Sequence, residues 1–183
     1  MSDRNGLLLG IDVGGTKIAG IAVDAHSGEL VAERRQPIDD VPLERQVIGF
    51  ARGLVEDGAL LGWIGGLPEY DGRVWELHPI VVRPDRRRRG LGRSLVMAFE
   101  AEAGARGAFT VTLGTDDDSG MTSLADVDLF ADIPRHIAEL KDLGRGHPFL
   151  FYRKLGFAVT GVMPDANGPG RPDIYMSKPV RRD

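Results

Sequence analysis

The sequence contains no cysteine, which excludes disulfides, thiolate metal sites and a cysteine nucleophile together. Long apolar runs are also missing. None approaches the roughly 18 residues that suggest a membrane helix, so no membrane partner is expected. The apolar run that follows Met1-Ser2-Asp3-Arg4-Asn5 is broken by glycines and Asp12 before it can act as a signal peptide, and a cytoplasmic location is expected. No nucleic-acid partner is expected, and no metal, and the net charge is -4. What remains is an ordinary globular composition, 42% hydrophobic and 27% charged, in 183 residues. That length suits one core. Charge is nonetheless uneven, because Arg86 to Arg89 form a basic block and Asp116, Asp117 and Asp118 an acidic one. Each is either solvated surface or half of a site that binds opposite charges.

Along the chain, Leu7 to Val13, Ile18 to Val23 and Glu29 to Arg35 read as three short strands, with a turn at Gly14-Gly15-Thr16-Lys17. Pro37 to Pro42 mark a connection. Gln46 to Val55, Ala59 to Leu67 and Val74 to Val82 read as further strands, separated by turns at Glu56-Asp57-Gly58 and Pro68 to Gly72. Leu91, Leu95, Ala98 and Phe99 then share one helical face through about Ala105, with Gly107 as the stop. Phe109 to Leu113 is a strand followed by the acidic loop. Leu124 to Leu143 is irregular, with Pro134 limiting any helix. A short helix from Phe149 to Leu155 and strands at Phe157 to Met163 and Ile174 to Lys178 close the chain.

The stretch Ile80-Val81-Val82-Arg83-Pro84-Asp85-Arg86-Arg87-Arg88-Arg89-Gly90-Leu91-Gly92-Arg93-Ser94-Leu95 carries the most chemistry. A strand enters a basic, glycine-containing turn that opens a helix, so unpaired amides and the positive end of the helix dipole converge on one point. That arrangement suits a pyrophosphate. Gly90 and Gly92 allow close approach to the backbone, and the arginines supply ion pairs. Neither Gly-x4-Gly-Lys-Ser/Thr nor a dinucleotide glycine fingerprint is present.

The spacing Arg87-x-x-Gly90-x-Gly92 resembles the signature by which GNAT acetyltransferases hold acetyl-CoA. Further blocks sharpen the likeness: Trp75-Glu76-Leu77-His78-Pro79, Leu113-Gly114-Thr115-Asp116-Asp117, His147-Pro148, Phe151-Tyr152-Arg153-Lys154-Leu155-Gly156-Phe157, Pro164-Asp165-Ala166-Asn167-Gly168 and Pro172-Asp173-Ile174. Over about residues 46 to 179 they resemble aminoglycoside 6'-N-acetyltransferases of the GNAT superfamily. The resemblance implies an α/β fold, a mixed, largely antiparallel sheet flanked by helices. It implies acetyl-CoA as co-substrate, bound by Ile80, Val81, Val82, Arg87, Arg88, Arg89, Gly90, Leu91, Gly92, Arg93 and Ser94. It also implies a polycationic small-molecule amine as acceptor, and a homodimer.

Acetyl transfer to an amine needs a deprotonated amine, a held thioester, stabilisation of the developing oxyanion, and a proton for the departing thiolate. The resemblance implies that Glu76 contacts the acceptor amine and serves as base, directly or through water. His78 falls on the same strand face; it either relays the proton or is a hydrogen-bonded structural residue. Pro79 cannot donate to a ladder, so a strand distortion is expected there, and the Ile80 amide takes the oxyanion role that the resemblance implies. Tyr152 matches the family's candidate acid. Trp75, Glu76, Asp116, Asp117 and Asp173 are candidate acceptor contacts, while Asp126, Asp128 and Asp132 either add to the acidic field or are solvated. Trp63, Trp75 and Phe151 also read as core. The expected mechanism is direct transfer in a ternary complex.

Leu9-Gly10-Ile11-Asp12-Val13-Gly14-Gly15-Thr16-Lys17-Ile18-Ala19-Gly20 is different. Over residues 7 to 36 it resembles the first phosphate loop of ROK-type sugar kinases. No second phosphate loop, adenosine site or catalytic aspartate can be placed. The expected division is therefore an atypical β-rich segment over 1–44 and an acetyltransferase domain over 45–183. An ATP-binding kinase fragment and a non-catalytic acetyl-CoA-binding module are the alternatives.

Overall fold

In the computed structural model of the chain the described residues are 7–14, 17–24, 30–37, 50–56 and 59–180. They fall into two compact units, Met1–Phe109 with Val180–Asp183, and Thr110–Pro179. The division expected at residues 44 and 45 lies outside the described residues, as do the turn at Gly15-Thr16 and the one at Asp57-Gly58.

In the first unit, β1 (Leu7–Gly14), β2 (Lys17–Asp24) and β3 (Leu30–Pro37) form the expected meander. β1 and β2 pair from Leu7↔Asp24 to Gly14↔Lys17. β4 (Phe50–Glu56) joins β1 through Leu8↔Arg52 and Leu9↔Ala51. β5 (Ala59–Glu69) and β6 (Val74–Val82) follow, giving the antiparallel order β3-β2-β1-β4-β5-β6. The expected turn at Pro68 is instead strand, since β5 runs on to Glu69 with Pro68 opposite Trp75. Among the described residues β4 pairs with β5 only as far as Gly66. Beyond that point β5 has a described partner on one side alone, where a residue without an N–H is tolerated.

Helix α1 (Leu91–Ala105) covers β4, β5 and β6. Its buried stripe is Leu95, Val96, Phe99 and Ala103, and Ile64, Trp75 and Leu77 are buried on the strands it covers. Fully burying one such large aliphatic or aromatic side chain contributes about 1.5–3 kcal/mol. The helix lies close because Gly66 has no side chain: a Cβ there would run into the Phe99 ring. Glu102 accepts from both Arg52 and Arg106, tying β4 to the helix, and the Arg52 bond is the main cause that holds its carboxyl below the usual range. Arg106 also lies over the Trp75 ring, 5.6 Å from its centre. Gly107, at φ +88°, supplies the left-handed turn that lets the Ala108 amide return to Ala103 O at 3.0 Å.

In the second unit, β7 (Thr110–Asp116), β8 (Ala158–Met163) and β9 (Asp173–Pro179) pair in the antiparallel order β7-β9-β8. Val111, Leu113, Ile174 and Met176 are buried on one face, with Phe149, Tyr152, Phe157, Leu124 and Leu129 completing that core. β7 extends three residues past the expected end, which places Asp116 within the strand. Between β7 and β8 lie a 3-10 turn at Leu129–Ala131, α2 (Ile133–Ala138) and α3 (Phe149–Lys154). Pro134, expected to limit a helix, stands in the first turn of α2, where its missing N–H has no helical acceptor to lose. Among the described residues no helix is long and apolar enough to cross a membrane.

Candidate active site

The first unit brings together the expected strand, basic turn and helix. Along β6, Trp75 and Leu77 are buried against α1, while Glu76, half-buried, occupies the alternate face and His78 is exposed. The β5–β6 register shifts between Ile64↔Ile80 and Gly66↔Leu77, so His78 and Pro79 together oppose Gly65. That extra residue is the strand distortion expected at Pro79, and it falls immediately before Ile80. The His78–Pro79 peptide is cis.

Past Val82, Arg83 N donates to Leu61 O at 2.8 Å and ends the ladder. The arginine block then divides by role. Arg83 clamps Asp85 through two bonds of 3.1 and 3.0 Å, the main cause that holds the Asp85 carboxyl below its usual range, and Arg86 adds a third contact at 3.5 Å. Arg87 donates from Nε to Val82 O at 3.2 Å, folding the turn onto the strand end. Arg88, Arg89 and Arg93 are exposed. Gly90 is the N-cap of α1 in the left-handed region, φ +83°, and nothing lies within 4 Å of where its Cβ would stand. The first helical bond is Ser94 N to Gly90 O at 3.1 Å. The amides of Leu91, Gly92 and Arg93 precede it, with no side-chain cap and no acidic residue in the first turn. A helix start left without a carboxylate or hydroxyl partner and flanked by arginine is electrostatically fitted to an anion.

Glu69 enters this unit's site without having been expected there. Leu67 pairs with Glu76 and Glu69 with Val74, so Glu69 is the diagonal neighbour of Glu76 on one sheet face. Desolvation first, and the charge of Glu76 second, raise the Glu69 carboxyl above its usual range.

In the second unit Asp116 and Asp173 are direct cross-strand partners at the end of the β7–β9 pair. Asp116 is exposed, and its Oδ1 accepts from Asn167 Nδ2 at 2.7 Å. Asp173 leans over Gly114, where an added Cβ would meet its Oδ2 at 2.5 Å. Asp118 accepts from Ser119 at 2.8 Å. Asp128 and Asp132 cap the 3-10 turn and α2, and Asp126 pairs with Arg171 at 2.8 Å, so these three have local structural partners.

Two expected acceptor contacts are placed elsewhere. Asp117 is fully buried, accepting from the backbone of Met121 and from both the amide and hydroxyl of Thr122, at 2.8 and 2.7 Å for the latter two. It organises the loop from within rather than presenting a carboxylate at its surface. Trp75 is 4% exposed and its indole N–H donates to Gly72 O at 3.2 Å, which makes it core, as its second expectation had it.

Tyr152 stands on α3, buried, in edge contact with Phe151 and Phe157 at 5.1 and 5.7 Å. Burial pushes its phenol up from 10.0 to about 12. It is therefore a hydrogen donor throughout the neutral range. Because the folded value lies above the unfolded one, the neutral phenol stabilises the fold fully below pH 10 and that contribution disappears as pH rises to about 12. At 1.36 kcal/mol per unit it amounts to about 3 kcal/mol. Tyr152→Phe is expected to remove this loss, which denaturant unfolding followed across the same alkaline window measures. Equal alkaline losses in both proteins would contradict it.

The chain is similar to known acetyltransferases. The sequence profile of the Acetyltransferase (GNAT) family matches residues 22–125. The crystal structure of an aminoglycoside 6'-N-acetyltransferase complexed with coenzyme A is 41% identical, with a TM-score of 0.71 over 73% of this chain and 74% of that one. The aminoglycoside 6'-N-acetyltransferase of Enterococcus faecium is likewise 41% identical, with a TM-score of 0.70 over 73% and 76% of the two chains. Among curated proteins, the N-terminal acetyltransferase B complex catalytic subunit naa20 of Schizosaccharomyces pombe is 28% identical over 131 residues, 70% of this chain; the chain spans 61% of that protein's length. The fold is the expected acyltransferase fold, and the chain belongs to the GNAT acetyltransferase family.

Proposed function

We propose that the chain is an acetyl-CoA-dependent N-acetyltransferase acting on the 6'-amine of aminoglycosides, as a cytoplasmic homodimer. The observation that carries the donor assignment is the start of α1, uncapped, free of acidic residues in its first turn, and preceded by the arginine turn. Acetyl-CoA supplies the thioester. The amides from Leu91 to Arg93 and the exposed Arg88, Arg89 and Arg93 hold its pyrophosphate, with Gly90 leaving the approach open. Glu76 takes the proton that the acceptor ammonium must lose, directly or through water, and His78 is the candidate relay. The Ile80 amide, just past the bulge, donates to the carbonyl oxygen as negative charge develops there. Tyr152 donates to the departing thiolate. In the net reaction a C–N bond forms and the C–S bond breaks; the acceptor ammonium loses two protons, one passing through Glu76 to solvent and the other balancing the proton that Tyr152 gives to sulfur.

The acceptor choice rests on the 41% identity to aminoglycoside 6'-N-acetyltransferases and on carboxylates suited to ammonium groups. Glu69 beside Glu76, and Asp116 opposite Asp173, supply them. The naa20 similarity points to a peptide amino terminus as the competing acceptor. Initial rates of coenzyme A release with a panel of aminoglycosides, set beside peptides with free amino termini, test the choice. Aminoglycosides are the expected substrates; a preference for peptides reassigns the acceptor. The sugar-kinase alternative draws on residues 7 to 36 alone, and the acetyltransferase profile begins inside them.

A further inference from the structure

His147 is 1% exposed and both of its ring nitrogens are engaged. Nδ1 accepts from the Phe149 amide at 3.1 Å, at the first residue of α3. A nitrogen that accepts carries no hydrogen, so the proton sits on Nε2, which donates to the carbonyl of Asp116 at 3.0 Å. One neutral imidazole thus joins the end of β7 to the start of α3. The backbone of His147 is fixed as well. Asp142 accepts from its amide at 2.8 Å and from Gly144 and Gly146 at 2.9 and 3.1 Å; the His147 bond is the main cause that holds the Asp142 carboxyl below its usual range. Asp142 is bridged to Thr122, and Thr122 is held by Asp117. The bonds across that bridge are made by its neighbours, Leu143 N to Met121 O and Ser123 N to Lys141 O, both 2.9 Å, so a chain of local contacts links Asp117, Thr122, Asp142, His147 and Asp116.

We propose that His147 is a positioning residue for acetyl transfer, setting the Asp116 carboxylate at the acceptor and the α3 helix that carries Tyr152 through separate nitrogens. This rests on the roles given above to Asp116 and Tyr152. Two substitutions separate the nitrogens. In His147→Asn the amide oxygen can replace Nδ1 as acceptor for Phe149, and nothing replaces Nε2. In His147→Gln the longer amide can donate to Asp116, and nothing replaces Nδ1. His147→Asn is expected to raise the acceptor KM by about tenfold, the cost of one buried hydrogen bond, with kcat within about twofold. His147→Gln is expected to lower kcat by about tenfold with acceptor KM within about twofold. A histidine that only stabilises the fold would shift neither parameter selectively, so equal effects from the two variants, or none, overturn the proposal.

A measurement on the unaltered protein covers the case in which either variant fails to fold. Nitrogen-resolved magnetic resonance of isotope-labelled His147 should show the neutral ring with hydrogen on Nε2; hydrogen on Nδ1 overturns the proposal. Asp116→Asn separates this inference from the reading beneath it. If that substitution leaves the acceptor KM unchanged, the role of Asp116 fails and the proposal falls with it. If it raises KM while His147→Asn does not, only the role of His147 fails.

Discussion

Glu76→Gln is expected to lower turnover by about 10²- to 10⁴-fold, the usual contribution of a positioned base, while acetyl-CoA affinity stays within about threefold. Glutamine has the shape of the glutamate it replaces and cannot take a proton. Glu76 lies on the face of β6 opposite the buried Trp75 and Leu77, so the α1 packing does not depend on its charge. Its diagonal neighbour Glu69 is held above its usual range partly by the Glu76 charge, and removing that charge lets Glu69 ionise more readily. The acidic limb of the pH–rate profile should therefore change along with kcat. Steady-state rates across pH, with the acceptor saturating, are the check. An unchanged turnover and profile would remove Glu76 from the chemistry.

The second large effect is expected at Gly90. Gly90→Val should weaken acetyl-CoA binding by about hundredfold or more, some 2.7 kcal/mol. The side chain would meet no protein atom, since nothing lies within 4 Å of the Cβ position. Its cost comes from two other sources. The left-handed φ of +83° is unfavourable by roughly 1–2 kcal/mol for a residue with a Cβ, which favours a relaxed turn that no longer presents the α1 amides for binding. The isopropyl group would also stand in the open space before the uncapped amides of α1, where the pyrophosphate is proposed to lie. Gly92→Val, one residue past the start of the helix, is expected to act in the same direction. Calorimetric titration with acetyl-CoA measures both. Affinity within about threefold of the unaltered protein, less than about 0.7 kcal/mol, would contradict the phosphate-loop assignment.

Local pattern made much of this architecture legible. The apolar spacing from Leu91 to Phe99 and the stop at Gly107 placed α1, and Pro79 inside an otherwise regular strand announced the irregularity that the β5–β6 register shift displays. The strand, arginine turn and helix start are consecutive in sequence, so their convergence needed no long-range information. The remaining features depend on tertiary contacts that no local pattern encodes. Asp116 and Asp117 look equivalent in sequence, yet alternation on β7 leaves the first exposed, while the second turns inward to satisfy loop amides. Trp75 is committed to the core by α1 packing and by its own bond to Gly72. Glu69 was missed because its nearness to Glu76 depends on β5 continuing through Pro68, where a turn was expected. The capping roles of Asp128 and Asp132 were available as local signals, since an aspartate just before a helical turn ordinarily serves its amides.

The proposed reaction moves an acetyl group from acetyl-CoA to the 6'-amine of an aminoglycoside. The most direct test incubates the full chain with acetyl-CoA and an aminoglycoside bearing a 6'-amine, beside a matched one with a 6'-hydroxyl, and locates the product's acetyl group by magnetic resonance. One acetyl group on the 6'-nitrogen of the first compound and no 6'-acetylation of the second are the expected results. Acetylation at a different nitrogen in both compounds, or acetyl-CoA binding with no acetylated product from either, would contradict it.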